Sequence, residues 1–219
     1  MITHLGAPTA ALAGIPAGLQ SQGVWAGRRQ LFVRFAAEAE TATMYTADAL
    51  ANELKRATTR SAFHSIAIAG RDPLANVDYL KAAFDKVATT LPVMLDVDGQ
   101  RPAEIADLRS FVKLTQVTVD GSLAEAQTER ALDSVRIGAG AGMLHALVIC
   151  ADDRTTDASM LRLVERAHAT SAATMVVIHP GVTTPVDKDR RWTTLFERAS
   201  ALHGDVRLAM RLPAPTGMR

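Results

Sequence analysis

The chain has 219 residues, 48% of them hydrophobic and 21% charged, a balance that sustains a well-filled core and argues against disorder. Its 24 basic and 23 acidic side chains leave a formal charge of +1, so no nucleic acid and no anionic membrane is expected as a partner. The single cysteine, Cys150, excludes an internal disulfide framework and, within one chain, a cluster or zinc site held by several thiolates.

The apolar start carries Pro8 and Pro16 and lacks a basic leader, so a signal peptide is not expected, and residues 1–14 read as loosely ordered. No apolar run approaches the roughly 20 residues that span a bilayer. The expectation is a soluble, cytoplasmic protein.

Gln30–Ala37 reads as a strand entered through a Gly27-Arg28-Arg29 turn. Thr46 is placed to N-cap a helix running to about Arg56, with Leu50, Ala51 and Leu54 on its apolar side. Ser65–Ala69 is a short buried strand ending at Gly70, and Val77–Thr89 is the helix after it. The alternation then repeats: strand Pro92–Val97, helix Pro102–Phe111, strand Gln116–Val119, helix Leu123–Val135, strand Met143–Cys150. Helix Asp157–Thr170, strand Thr174–His179, helix Asp187–His203 and strand Asp205–Arg211 complete it. Short apolar strands separated by helices of three or four turns imply βαβ units and a parallel sheet. About six such units give an α/β fold with a partial, TIM-like (β/α)6 barrel, in one domain spanning residues 1–219.

In such a fold, ligands gather at the carboxyl ends of the strands. There His179, followed by Pro180, is a candidate general acid or base, with Asp120 as a second candidate for handling protons. Asp96, Asp98 and Asp120 end successive strands and raise the question of a divalent-cation site, although three loop aspartates are common without one. Cys150 ends an apolar strand with no adjacent histidine and reads as an inert thiol. His64, His145 and His168 read as packed or surface residues. Gly138–Gly142 has the composition of a phosphate loop but precedes a strand and lacks the lysine, so it reads as a flexible connector. Asp187–Arg191 reads as a solvated first helical turn anchored by Trp192.

The strand-end segments also follow a known order. Leu19–Ala36, containing Gln20-Ser21-Gln22-Gly23 and then Leu31-Phe32-Val33-Arg34-Phe35-Ala36, resembles the opening of 7-carboxy-7-deazaguanine synthases: IQGEGP, a glycine turn, and a strand of the form VFVRFAG. Gly70-Arg71-Asp72-Pro73-Leu74 stands where that radical-SAM family has GGEPL, and Asp96-Val97-Asp98-Gly99 where it has ETNG. Val117-Thr118-Val119-Asp120 resembles its VSMD strand, and Ile178-His179-Pro180 its late LQP. The resemblance runs from about residue 15 to the end and implies a partial barrel of the radical-SAM type.

In the family the first strand leads into a C-x3-C-x2-C loop that holds a [4Fe–4S] cluster. Here those three positions are Glu38, Ala42 and Tyr45. A carboxylate, a methyl and a phenol do not replace three thiolates. The resemblance therefore implies a radical-SAM-like pseudoenzyme with no iron–sulfur cluster and no other cofactor. Cluster-free binding of S-adenosylmethionine is kept as an alternative.

By position, Gln20, Gln22, Arg34, Gly70, Arg71, Asp72, Asp96 and Asp98 are the implied ligand-binding set, with no metal. Arg34 is open to two readings: it grips a carboxylate or phosphate, or it pairs with Asp72 or Asp96. Arg71 is read as a plug or salt-bridge partner more readily than as a catalytic group. The functional expectation is binding of a small-molecule anion or a protein partner, as a homodimer. The alternative is a non-radical enzyme reusing the strand-end pocket for an anionic or S-adenosylmethionine-related substrate.

Overall fold

A computed structural model describes residues 7–152, 154–181 and 190–212. Ten strands form one mostly parallel sheet that is not closed. Seven of them follow the chain in space, each parallel to the one before: β3 (Arg29–Phe35), β5 (Ser65–Gly70), β6 (Val93–Val97), β7 (Val112–Asp120), β8 (Leu144–Cys150), β9 (Met175–His179) and β10 (Val206–Leu208). Crossovers in parallel sheets are right-handed, so steps that always move one place in the same direction keep the connecting helices on one face.

The other three strands are antiparallel additions to β3. β1 (Thr9–Gly14) pairs with its carboxyl half and β2 (Ala17–Leu19) with its amino half; β4 (Thr43–Thr46) pairs with β1 to form one edge. The break between β1 and β2 falls at Gly14, whose φ of 140° suits glycine, and at Pro16, which has no N–H for a ladder. Residues 1–14, expected to be loose, thus contain an ordered strand. Ala10 and Leu12 of β1 are buried in the core, which is the physical reason it is held.

The helices are α1 (Ala47–Arg60), α2 (Val77–Phe84), α3 (Glu125–Gly140), α4 (Asp157–Thr170) and α5 (Arg190–Leu202). Their apolar stripes pack on the alternate residues of the strands: Leu50, Leu54, Leu80, Val135, Val164 and Trp192 share a core with Leu31, Ile66, Leu95, Val117, Leu147 and Ile178. Trp192 is an anchor, as expected; residues 187–189, also assigned to that helix from sequence, lie outside the described residues.

Thr46 caps α1, its Oγ1 accepting from the Ala49 N–H at 3.1 Å. Thr46→Ala is expected to lower stability by about 1 kcal/mol in a chemical melt. At α4, Thr156 and Ser159 bond each other's backbone N–H at 3.1 and 3.2 Å, fixing the start at Asp157 as expected.

Several boundaries differ from the sequence reading. The segment 102–111 is a 3-10 turn over Ala103–Leu108, because only Ile105 and Leu108 are buried and one short turn suffices to bury them. The helix expected over Val77–Thr89 stops at Phe84 and continues as tight turns to Val87. Gly138–Gly142 is not a flexible connector: α3 runs through Gly138 to Gly140, and Gly138 packs against Thr115 and His145. The last strand is only Val206–Leu208. No helix among the described residues is long and apolar enough to cross a membrane.

Candidate functional site

The face of the sheet opposite the helices carries small residues at its centre, Ala67 and Ala146, beside Met94 and Leu114. That space is filled by the β2–β3 connection, whose Val24 and Trp25 pack on these four side chains. The connection is tied at its base by Gln20 N–H to Arg28 carbonyl (2.9 Å) and Gly27 N–H to Gln20 carbonyl (2.8 Å). Gly23 and Gly27 adopt φ of 79° and 77°, which tight turns require. A β-carbon on Gly23 would overlap the Gln116 side-chain amide, so the tip of the connection lies directly on β7.

Two side chains hold that tip. Gln116 Oε1 accepts from the Val24 N–H at 3.1 Å, and His179 Nε2 accepts from the Gly23 N–H at 2.8 Å. The other ring nitrogen of His179, Nδ1, donates to the Ala209 carbonyl at 2.6 Å. Those two bonds require the neutral Nδ1–H imidazole. Burial, the main cause, pulls its pKa below the ordinary histidine value; the charge of Arg211 adds to this, and the Ala209 carbonyl opposes it. His179 is 1% exposed with both nitrogens engaged, so it acts as a clamp between the β2–β3 connection and the segment after β10. A second tie, Leu212 N–H to Ser21 carbonyl at 2.9 Å, closes the same seam.

Asp96 lies beneath this seam. Burial lifts its pKa above the ordinary aspartate value, against the opposing pull of Thr118, Gln116, Gln20 and the Arg211 charge. Thr118 Oγ1 donates to it at 2.7 Å. The Gln20 and Gln116 amide nitrogens lie toward the same carboxyl group without the alignment of full hydrogen bonds. Cys150 sits beside them, its thiol 4.0 Å from Gln22 Oε1 and its pKa raised chiefly by burial. The structure therefore places Gln20, Gln22, Asp96 and His179 in one region, where their contacts go to other groups of the protein: Thr118 for Asp96, Cys150 for Gln22, and Gly23 and Ala209 for His179. Gln116, Thr118 and Arg211 belong to this cluster and were not singled out from sequence. The signal for Gln116 and Thr118 was their polarity at alternate positions of a buried strand.

The other sequence candidates lie toward the rim. Arg34 pairs with Glu40 at 2.8 Å, not with Asp72 or Asp96, because the turn after β3 brings Glu40 back under the guanidinium. The Ala37 N–H, first, and Arg34, second, hold the Glu40 carboxyl below its ordinary range. Asp72 pairs instead with Arg101, whose Nε lies 2.9 Å from both carboxylate oxygens. Asp72 itself adopts a left-handed φ of 41° ahead of Pro73. Arg71 is exposed and forms no ion pair among the described residues, so it does not plug the strand ends. Gly70 has φ 102° and packs on the backbone of Phe35. Of the remaining histidines, His145 is buried between the Met143 carbonyl (3.0 Å) and Ser171 Oγ (2.9 Å), and His168 meets His203 at 3.0 Å.

Asp98 and Asp120 line an open cleft of about 510 Å³ where β6 and β7 meet α3. Its remaining walls are Gln100, Thr118, Val119, Leu123, Gln127 and Arg130. Asp96 faces the buried cluster and Asp98 is folded onto Gln100, so the three aspartates do not converge on a cation. No group of three His, Cys, Asp or Glu side chains among the described residues is arranged to hold a metal ion.

The three positions aligned with cluster cysteines are equally dispersed in character. Glu38 and Ala42 are exposed in the turn between β3 and β4, and Tyr45 is half-buried in β4, in register with Ala10 of β1. That donor set does not fit an iron–sulfur cluster. Neither the scan of protein-family models nor the search of curated proteins returned a match to this chain.

Proposed function

We propose that this chain is a radical-SAM-like protein, a partial barrel of that type, that performs no radical chemistry and serves as a ligand- or partner-binding pseudoenzyme. The observation that carries the reading is the fate of the segment after β3. The turn there is committed to the Arg34–Glu40 pair, and the residues beyond it build the edge strand β4. That stretch holds no thiolate; its one sulfur is the Met44 thioether. The unidirectional strand order from β3 to β10 supports the barrel assignment, and the sequence motifs fall at its strand ends.

A self-filled sheet face supports binding over catalysis. The β2–β3 connection occupies the space over Ala67 and Ala146, and His179, the best candidate for proton transfer, has both nitrogens engaged. The second reading, a non-radical enzyme for an anionic or S-adenosylmethionine-related substrate, draws on the open cleft at Asp98 and Asp120. It is weakened by Arg34, whose charge is already met by Glu40. The reading extends to a homodimer that covers the exposed edge at β4, where Met44 is 65% exposed.

Anaerobic incubation with ferrous iron, sulfide and reductant, followed by desalting, tests the proposal. The expected product is colourless, with no thiolate-to-iron absorption and no stoichiometric iron. A brown protein with about four irons per chain would overturn it.

A further inference from the structure

Opposite charges stand apart in the cleft between the carboxyl ends of β6 and β7 and the first turns of α3. Along α3 itself, the other charges are paired. Along α3, Glu125 and Glu129 both go to Arg166, and Asp133 goes to Arg136. Across the strand ends, Arg101 takes Asp72. That distribution leaves Arg130 with no carboxylate partner among the described residues, although it shares α3 with three acids. On the opposite wall, Asp120 also forms no ion pair and accepts no hydrogen bond among the described residues. Arg130 and Asp120 line one cavity without meeting.

The rest of the lining is already oriented. Both oxygens of Asp98 are engaged by Gln100, through its N–H at 3.1 Å and its amide nitrogen at 2.6 Å, so the carboxylate is fixed while it keeps lone pairs for another donor. Gln127 uses its amide oxygen on the Ala124 N–H at 3.3 Å, which leaves its amide N–H groups available. Val119 and Leu123 supply apolar wall between the charged groups. The volume, about 510 Å³, falls within the range of small-molecule sites.

We infer that this cleft binds a basic α-amino acid: a ligand with a carboxylate for Arg130, ammonium groups for Asp120 and Asp98, and a methylene stem for Val119 and Leu123. Two carboxylates and one guanidinium give the lining a net charge of −1, which a ligand of net charge +1 matches. A simple anion would face two carboxylates, and a bare diamine would leave Arg130 unmet. The inference rests on the ligand-binding reading above and specifies its site and ligand class.

The test is a titration of the 15N-labelled full chain followed by NMR, with three probes: L-lysine, cadaverine (no carboxylate) and glutarate (no ammonium). Saturable shifts are expected for L-lysine at millimolar concentration, centred on residues 98–100, 118–120 and 127–130, with each truncated probe binding at least about tenfold more weakly. Arg130→Met and Asp120→Asn should each weaken lysine by about tenfold or more. Both side chains are on the surface, and an unchanged melting temperature will show that the variants fold. Absence of saturable lysine shifts, equal binding of cadaverine, or indifference to both substitutions would overturn the assignment. The two levels separate cleanly. If lysine fails here while another metabolite binds elsewhere, the cleft assignment falls and the pseudoenzyme reading stands. If the chain assembles an iron–sulfur cluster, the pseudoenzyme reading falls whatever lysine does.

Discussion

Gly70→Ala is expected to destabilise the chain by about 3–5 kcal/mol, the sum of backbone strain at an unfavourable φ and a steric clash. Gly70 ends β5 with φ 102°, a conformation that L side chains rarely adopt. An added β-carbon would lie 2.7 Å from the Phe35 N and closer still to the Phe35 carbonyl oxygen. Those are backbone atoms of β3 and cannot rotate away. The same carbonyl accepts the Arg71 N–H at 3.1 Å, so displacing it also loosens the entry to the Asp72-Pro73 turn. A urea melt measures the loss. Gly140→Ala is the control, because a β-carbon there meets nothing within 4 Å at the end of α3. It is expected to be neutral or to stabilise by up to about 1 kcal/mol. Equal effects at the two glycines would contradict the role given to the β3–β5 contact.

Replacing His179 by alanine should cost about 2–4 kcal/mol, since it leaves the Gly23 N–H and the Ala209 carbonyl without partners in a buried seam. It should also remove part of the pH dependence of stability. Burial lowers the folded pKa of His179 below the ordinary 6.5, so between those values the unfolded chain binds the extra proton. The contribution is complete above about pH 6.5, declines as pH falls below it, and levels off below the folded pKa. His64, whose pKa is also lowered, first by burial and then by Arg28, adds loss of the same sign. The informative quantity is therefore the difference between wild type and His179→Ala across pH 5 to 8. That difference should shrink toward acid; one that grew toward acid would mean that His179 is charged in the folded state. Protonated His179 would direct an N–H at the Gly23 N–H, so acid should also expose Trp25, which fluorescence reports.

The position of Asp96 illustrates how a strand-end carboxylate serves the protein's own packing. A carboxylate at the end of β6 reads from sequence as a group that meets a ligand. In the folded chain Thr118 hydrogen-bonds it, the Gln20 and Gln116 amides lie toward it, and its desolvation is tolerated because these polar groups surround it. Arg34 is likewise engaged at the rim, where Glu40 meets it from only six residues away. Asp96 and Arg34 thus spend their polar groups on the protein's own side chains, whereas Arg71, Asp120 and Arg130 form no ion pair among the described residues.

Local periodicity was enough to place the seven parallel strands and the helices α1 to α5, because alternation and helical spacing are properties of neighbouring residues. The Thr46 cap and the start of α4 at Asp157 were legible for the same reason. β1, β2 and β4 were not: Thr9–Gly14 and Thr43–Thr46 are short, and only their pairing with β3 and with each other makes them strands. The filled sheet face was equally hidden. Its two fastenings join Gly23 to His179 across 156 residues and Val24 to Gln116 across 92, and no local pattern encodes such contacts. Sequence determined which residue types stand at the strand ends and that Cys150 is the one cysteine of the chain. Tertiary packing decided which of those residues spend their hydrogen bonds on the protein itself, and left Asp120 and Arg130 facing open space, because pairing depends on distance in the folded chain.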